Sequence, residues 1–178
     1  MLKKCVCLFL FLIFEGCSGC KDAPAGIHVV DGFELHRFLG TWYEIARTDN
    51  TFQKNLDSVS ANYLIDDDGN IRVDNKAYDV KVKRWRYRSG KAVFAGDPNK
   101  GAFRASYFGS FYAQYNIIDI DKENYSWALV CGRDKSMLWI ISRTTELDHL
   151  IVNKLLLEAD SLGFDTSRLL YTGFGSGP

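Results

Sequence analysis

Gly40-Thr41-Trp42-Tyr43-Glu44-Ile45-Ala46 opens a stretch of chain in which almost every segment reads as strand. Its β-branched and aromatic residues suit a pleated, half-buried surface, and they are introduced by a glycine two places ahead of a tryptophan. A Gly-x-Trp triplet alone says little, because a strand tryptophan is ordinarily core. Its position gives it weight. It heads a domain-sized run of strands and stands more than ninety residues before Trp139-Ile140-Ile141-Ser142-Arg143-Thr144, a segment able to complete the same structure.

Downstream, strand-like segments fall at 41–47, 58–65, 71–78, 82–87, 91–95, 102–108, 112–120, 125–130 and 137–142. Turn signals separate them: Asp66-Asp67-Asp68-Gly69-Asn70, Ser89-Gly90, the Gly/Pro/Asn-rich 96–101, Gly109-Ser110 and Gly132-Arg133-Asp134. Strands in series, with short turns and no helices between them, predict an antiparallel meander, closed as a barrel or stacked as a sandwich. One helix is expected over 145–162, where Leu147, Ile151, Leu155, Ala159 and Leu162 recur at spacings of three and four. Asp148, His149, Asn153, Lys154, Glu158 and Asp160 occupy the other side, so this helix packs on the outside of something. Gly163 is its stop signal, and 167–171 can form a last short strand.

Upstream lies a targeting segment. Lys3 and Lys4 precede an apolar run from Val6 to Phe14 that ends at Glu15, well short of the roughly 20 residues that a membrane-spanning helix needs. The following Gly16-Cys17-Ser18-Gly19-Cys20 resembles the lipobox of bacterial lipoproteins, in which the cysteine after the cleavage point is lipidated. Cys20 follows the small pair Ser18-Gly19, although Cys17 stands where an apolar residue is usual. Cys17 is the alternative, with Phe14 at the apolar place but a charged Glu15 beside the cut, the worse defect of the two. A soluble secreted protein with incidental cysteines is the plain alternative to both. Residues 1–19 are thus a leader, 20–26 a short tether and 27–178 the folded domain. By resemblance to lipoprotein sorting, Lys21 after Cys20, or Ser18 after Cys17, points to the outer membrane, with the bilayer as a partner through the lipidated N-terminus.

Without its leader the chain keeps 159 residues, enough for one domain with a sizeable core. Its charge is close to neutral: Lys+Arg falls from 22 to 20 and Asp+Glu from 22 to 21, a net charge of minus one with His neutral. No global field recruits nucleic acid. Cys5, Cys7, Cys17 and Cys20 lie in the leader region, so the domain retains Cys131 alone and no internal disulfide. Inside Ala128-Leu129-Val130-Cys131, that cysteine reads as a small core residue.

Gly40-Thr41-Trp42-Tyr43-Glu44-Ile45-Ala46-Arg47, Phe108-Gly109-Ser110-Phe111-Tyr112-Ala113-Gln114-Tyr115-Asn116-Ile117-Ile118, Ala128-Leu129-Val130-Cys131-Gly132 and Leu138-Trp139-Ile140-Ile141-Ser142-Arg143-Thr144 together resemble the bacterial lipoprotein lipocalins of the Blc and apolipoprotein D type. The resemblance covers essentially the whole mature domain. It implies an all-β fold, an eight-stranded antiparallel up-and-down barrel with the C-terminal helix packed on the outside. It places Gly40 and Trp42 at the closed end with Arg143 packed across the indole, a structural cation–π contact. Asp119-Ile120-Asp121-Lys122-Glu123-Asn124-Tyr125 stands where many members carry Thr-Asp-Tyr. Residues 48–56 would be the long first loop over the open end, with Phe52 and Leu56 its apolar contribution.

If Trp42 points inward, period two sends Glu44 and Ala46 inward with it. Tyr63, Phe94, Phe103, Tyr115 and Trp127 are the further candidates to line a ligand cavity, each equally able to be core filler or to face outward. Residues 81–91 carry six Lys or Arg and no acid, read as a hairpin that is either a solvated face or a contact for anionic heads at the mouth. Catalysis is not expected. His28, His36 and His149 form no metal motif, no Gly-x-Ser-x-Gly is present, and Glu44 has no partner acid. No metal or cofactor is expected. The resemblance implies reversible capture of a fatty acid or lysophospholipid for storage or transport at the envelope, by a monomer or homodimer. A surface lipoprotein that binds another protein through 84–88 is the alternative from another class, and a lipocalin-fold enzyme a weaker one.

Overall fold

A computed structural model describes residues 23–173. The leader 1–19, Cys17 and Cys20 lie outside the described residues, as does the last part of the domain beyond 173. Eight strands form the barrel: β1 (Gly40–Thr48), β2 (Leu56–Ile65), β3 (Ile71–Asp79), β4 (Arg84–Phe94), β5 (Ala102–Phe108), β6 (Phe111–Ile120), β7 (Trp127–Cys131) and β8 (Leu138–Ser142). Each pairs antiparallel with the next, and β1 closes the ring by pairing with both β8 and β2. Closure leaves no open edge along the meander. A short helix α1 (Leu35–Phe38) precedes β1, and α2 (His149–Ser161) and a last strand β9 (Leu169–Tyr171) follow β8.

Alternation along these strands divides the apolar residues into two clusters. Inside are Trp42, Tyr63, Ile71, Val73, Ala92, Phe103, Ile117, Ala128, Val130 and Ile141, with Phe33 and Phe38 entering from the N-terminal segment. Outside, Ile45, Ala46, Leu129, Cys131, Leu138 and Ile140 form a second apolar wall. Helix α2 covers that wall with Val152, Leu155 and Ala159. Its start is fixed by Asp148, whose carboxylate accepts the Leu150 N–H at 2.7 Å, so the helix is shorter than the periodic stretch 145–162. Ala23, assigned to the tether, already packs against this second cluster. Cys131 is fully buried there, and burial pushes its thiol up to about 12.

The expected hairpin over 81–91 is not formed. Strand β4 runs unbroken through Ser89-Gly90, paired with β3 from Ile71↔Ala92 to Asp79↔Arg84. Gly90 marks a close approach and not a turn, because a Cβ there would sit 2.4 Å from the Tyr107 ring. The real turn is at 80–83, where the Asp79 carboxylate accepts the N–H groups of Lys81 at 3.0 Å and Val82 at 3.1 Å.

One end of the barrel is sealed. Helix α1 crosses it, and Phe38 stacks on Trp42 with centroids 4.8 Å apart. Trp42 is 1% exposed and donates its indole N–H to the Phe38 carbonyl at 2.8 Å. The Arg143 guanidinium lies 3.9 Å from the Trp42 ring centroid and donates to the carbonyls of Thr41 (3.0 Å), Tyr125 (3.2 Å) and Arg37 (2.6 Å). Gly40 has φ 94°, and a Cβ on it would lie 3.4 Å from that guanidinium. Trp42→Ala is expected to cost about 3–5 kcal/mol in denaturant unfolding. Arg143→Lys is expected to lose most of what Arg143→Ala loses, about 2–4 kcal/mol, since an ammonium cannot span three carbonyls as a planar fork does. Equal stability of Arg143→Lys and the native chain would refute the bracing role.

Candidate functional site

The other end is the mouth. It is formed by the first loop (49–55), the β3–β4 turn, the β5–β6 turn and the β7–β8 loop. The site is the inner wall between this mouth and the sealed base, and what lines it is set by register.

Strand β1 supplies the buried charged pair. A register shift between Glu44 and Ala46 breaks the alternation at Ile45. Ala46, expected inside, therefore faces α2 with Ile45, and Arg47 turns in to share a face with Glu44. Both charged side chains are almost wholly buried, Glu44 at 5% and Arg47 at 4% exposed. The Arg47 guanidinium donates to Glu44 and to the Leu56 carbonyl at 2.7 Å. Gln53, from the first loop, donates its amide to Glu44 and accepts from the Trp139 indole at 2.9 Å and from Asn50 at 3.0 Å. The loop is thus fastened to the interior through Gln53. Phe52 beside it is 78% exposed. Burial raises the Glu44 carboxyl above the ordinary carboxylate value, with Arg47 and Gln53 pulling it back. Among the described residues the Arg47 Nε–H is buried with no acceptor.

The other candidates fall in three places. Tyr63 and Tyr115 are inside, ring centroids 6.3 Å apart and hydrogen-bonded to each other, and burial raises both phenols. Phe94 and Phe103 are inside as well but belong to the base, 4.8 Å apart and packed on Phe33 at 6.5 and 5.3 Å. Trp127 does not line the cavity. On β7 it is Ala128 and Val130 that face inward, which sends Trp127, Leu129 and Cys131 to the helix side. There the Lys154 ammonium sits 4.7 Å from the Trp127 ring.

Nearer the mouth, the unbroken β3–β4 register extends the inward face of Ile71, Val73 and Ala92 to Asn75, Ala77 and Asp79 on one strand and Arg88, Arg86 and Arg84 on the other. Arg86 pairs with Asp79 at 2.5 Å, and Tyr107 is hydrogen-bonded to Asn75 with Arg88 nearby. A cleft of about 380 Å³ at this end is lined by Phe52, Asn75, Ala77 and residues 84–88 of β4, Trp85 and Tyr87 included. The opposite face of β4 is solvated, with Lys76 stacked over Trp85 at 4.2 Å. The shared face of Arg84, Arg86 and Arg88 follows from their alternation in the sequence. Arg47, Gln53 and Tyr107 carried no such signal, because the first owes its direction to a bulge and the others to tertiary contacts. The lining therefore grades from an aromatic floor, through a hydrogen-bonding belt, to a cationic mouth, a sequence of environments that matches an amphiphile lying along the barrel.

Residues 33–173 match the lipocalin-like domain family. The outer membrane lipoprotein Blc of Citrobacter freundii is 45% identical over 148 residues, covering 83% of each chain. The protein of the same name from Vibrio cholerae is 38% identical over 164 residues, 92% of this chain and 96% of that one. Among solved structures, insecticyanin from the tobacco hornworm superposes with a TM-score of 0.70 at 20% identity, over 86% of this chain and 87% of that one. Sealed base, closed eight-stranded ring, outer helix and sequence kinship agree, and the chain belongs to the lipocalin family.

Proposed function

We propose that the barrel binds one single-chain lipid, a fatty acid or a lysophospholipid, and holds it for storage or transport at the outer membrane. The observation that carries this is the grading of the inner wall. The acyl chain would lie toward the aromatic floor, gaining about 0.8 kcal/mol for each methylene that leaves water. Glu44, Tyr63 and Tyr115 would meet its polar end or the first oxygens of a longer head. The unmatched Arg47 Nε–H would be satisfied by a ligand oxygen or a water. Phe94 and Phe103 would limit how deep the chain can reach.

The name borne by the two bacterial relatives, outer membrane lipoprotein, supports a lipid anchor at that membrane; we place it on Cys20, with Cys17 as the alternative, and put the domain on the periplasmic face. A binding role is favoured over an enzymatic one because the buried acid, Glu44, is engaged by Arg47 and Gln53 and faces no nucleophile among its contacts. It is favoured over a protein-interaction role because Arg84, Arg86 and Arg88 turn toward the mouth and not away from the barrel.

Native mass spectrometry of the purified protein is expected to show one lipid per barrel that leaves on delipidation and returns on addition of oleate or lysophosphatidylethanolamine. A barrel that stays empty under both additions would sink the proposal. Arg47→Met alone is expected to destabilise the fold by about 3–5 kcal/mol by stranding Glu44, whereas Glu44→Leu combined with Arg47→Met recovers most of that loss. The double variant should still refold yet bind lipid more weakly, and undiminished lipid binding would remove the pair from the site.

A further inference from the structure

The loops of the mouth expose large apolar side chains. Phe52 on the first loop and Phe111 at the β5–β6 turn are 78% and 84% exposed, the highest values among the large apolar residues described. Val80 and Val82 on the β3–β4 turn are 48% and 47% exposed. Three successive mouth loops therefore carry bare apolar tips. On a strand meander with one solvated end, polar turn residues would serve the fold equally well.

Charge surrounds the tips. Lys81 and Lys83 alternate with Val80 and Val82, Lys54 follows Phe52 by two positions, and Arg84, Arg86 and Arg88 stand on the adjoining inner wall. Phe52 and these arginines line one cleft, so the first loop and β4 present a common surface. Asp49, Asp57, Asp79, Asp134 and Asp165 share this end, Asp165 accepting from Ser167. Of these, Asp79 is taken up by Arg86 and the turn amides, Asp57 accepts from Ser58 and Gly173, and Asp134 accepts from Ser136. Acids gather instead at the base, where Asp66-Asp67-Asp68, Asp97, Asp121 and Glu123 occupy the turns. The barrel thus has a basic, apolar-tipped end and an end whose turns are rich in acid.

From this arrangement we infer that the mouth docks on an anionic phospholipid surface. Phe52, Phe111, Val80 and Val82 enter the interface, and Lys54, Lys81 and Lys83 lie at the level of the phosphates. Apolar side chains beside lysines at one end of a rigid body are suited to a bilayer interface, where the tips leave water and the ammonium groups meet headgroups. Negative surface potential adds to this for each basic residue that reaches the surface. Docked this way, the opening of the barrel faces the lipid phase, and a chain can pass between bilayer and cavity without crossing water. The inference holds whichever lipid the barrel carries and does not require the lipid anchor.

The test uses the domain from residue 23 onward, since among the described residues the closed ring of strands, both apolar clusters and the outer helix are complete. It should sediment with vesicles of phosphatidylcholine containing about one-third phosphatidylglycerol, far less with phosphatidylcholine alone, and less as salt rises. Phe52→Ser with Phe111→Ser, and separately Lys81→Glu with Lys83→Glu, should each weaken binding about tenfold or more. Leu157→Ser, which removes a 73%-exposed apolar residue from the outer helix, should leave binding unchanged. Thermal unfolding by circular dichroism checks that each variant is folded. Binding that ignores the rim substitutions, or absence of binding to both kinds of vesicle, overturns the inference. So does a dimer in gel filtration that the Phe52 and Phe111 substitutions dissolve without any vesicle binding, since a second copy would then be what covers the rim. Lipid retention in the barrel is read separately by mass spectrometry, so failure of docking and failure of lipid capture cannot be confused.

Discussion

Strand β1 has two edges and three partners, and the barrel is arranged around how it serves them. Its first half pairs with β2 through Gly40 to Tyr43, while β8 takes the other edge from Tyr43 to Arg47. Beyond Tyr43 the β2 edge is vacated, and β9 fills it by pairing with Ala46, Arg47 and Thr48. A strand that changes neighbours midway must bend, and the bend is the bulge at Ile45. Thr172 continues the seam by donating to the Ile45 carbonyl at 3.0 Å, and Ser58 and Asp57 on β2 hold Gly173. The C-terminal strand is therefore part of how the ring closes.

The same bulge distributes chemistry. It sends Ile45 and Ala46 outward, completing the wall under α2, and it turns Arg47 inward onto Glu44. Below that point the strand carries Trp42 into the base, where Arg143 joins main-chain carbonyls of α1, β1 and the turn before β7. One strand thus supplies the floor, the polar belt and part of the outer core. Helix α1 is held against the base from the other side as well, since Arg37 donates to the Lys122 and Glu123 carbonyls and stacks at 4.3 Å over Tyr125.

How much of this was legible in the sequence follows from where alternation carries information. Strands with one wet face announce themselves. Ile71 and Val73 on β3 are buried beside the exposed or half-exposed Arg72 and Asp74, and the segment was read as a strand. Strand β7 offers no such contrast. Trp127-Ala128-Leu129-Val130-Cys131 is apolar at every position because one face lines the barrel and the other lies under α2, so nothing in it tells which side Trp127 takes. Glu44 to Arg47 fails for a related reason: Ile45 and Ala46 are both apolar, and a one-residue slip between them leaves no mark. Ser89-Gly90 misled because glycine serves turns and close contacts alike, and only the Tyr107 ring distinguishes them. The base was read through the family resemblance, which put Gly40, Trp42 and Arg143 together, and the guanidinium over the indole face supplies its physical reason.

The Glu44–Arg47 pair bears on what the interior is for. A well-packed apolar pair at those positions would satisfy the fold as well or better, since two buried charges rarely repay their desolvation against hydrophobic replacements. The pair is kept in order by specific partners: Gln53 from the first loop, the Leu56 carbonyl, and, through Gln53, the Trp139 indole. These partners lie between the aromatic base and the mouth, where Arg47 also pairs with Trp139 across the β1–β8 seam. A barrel filled only for stability would extend the aromatic packing of Phe38, Trp42 and Phe103 upward. Here that packing runs through Tyr63 and Tyr115 to Trp139, and the Trp139 indole N–H meets Gln53 beside the Glu44–Arg47 pair. Aromatic and charged side chains thus meet on one inner wall, a lining suited to a ligand that has both an apolar and a polar part.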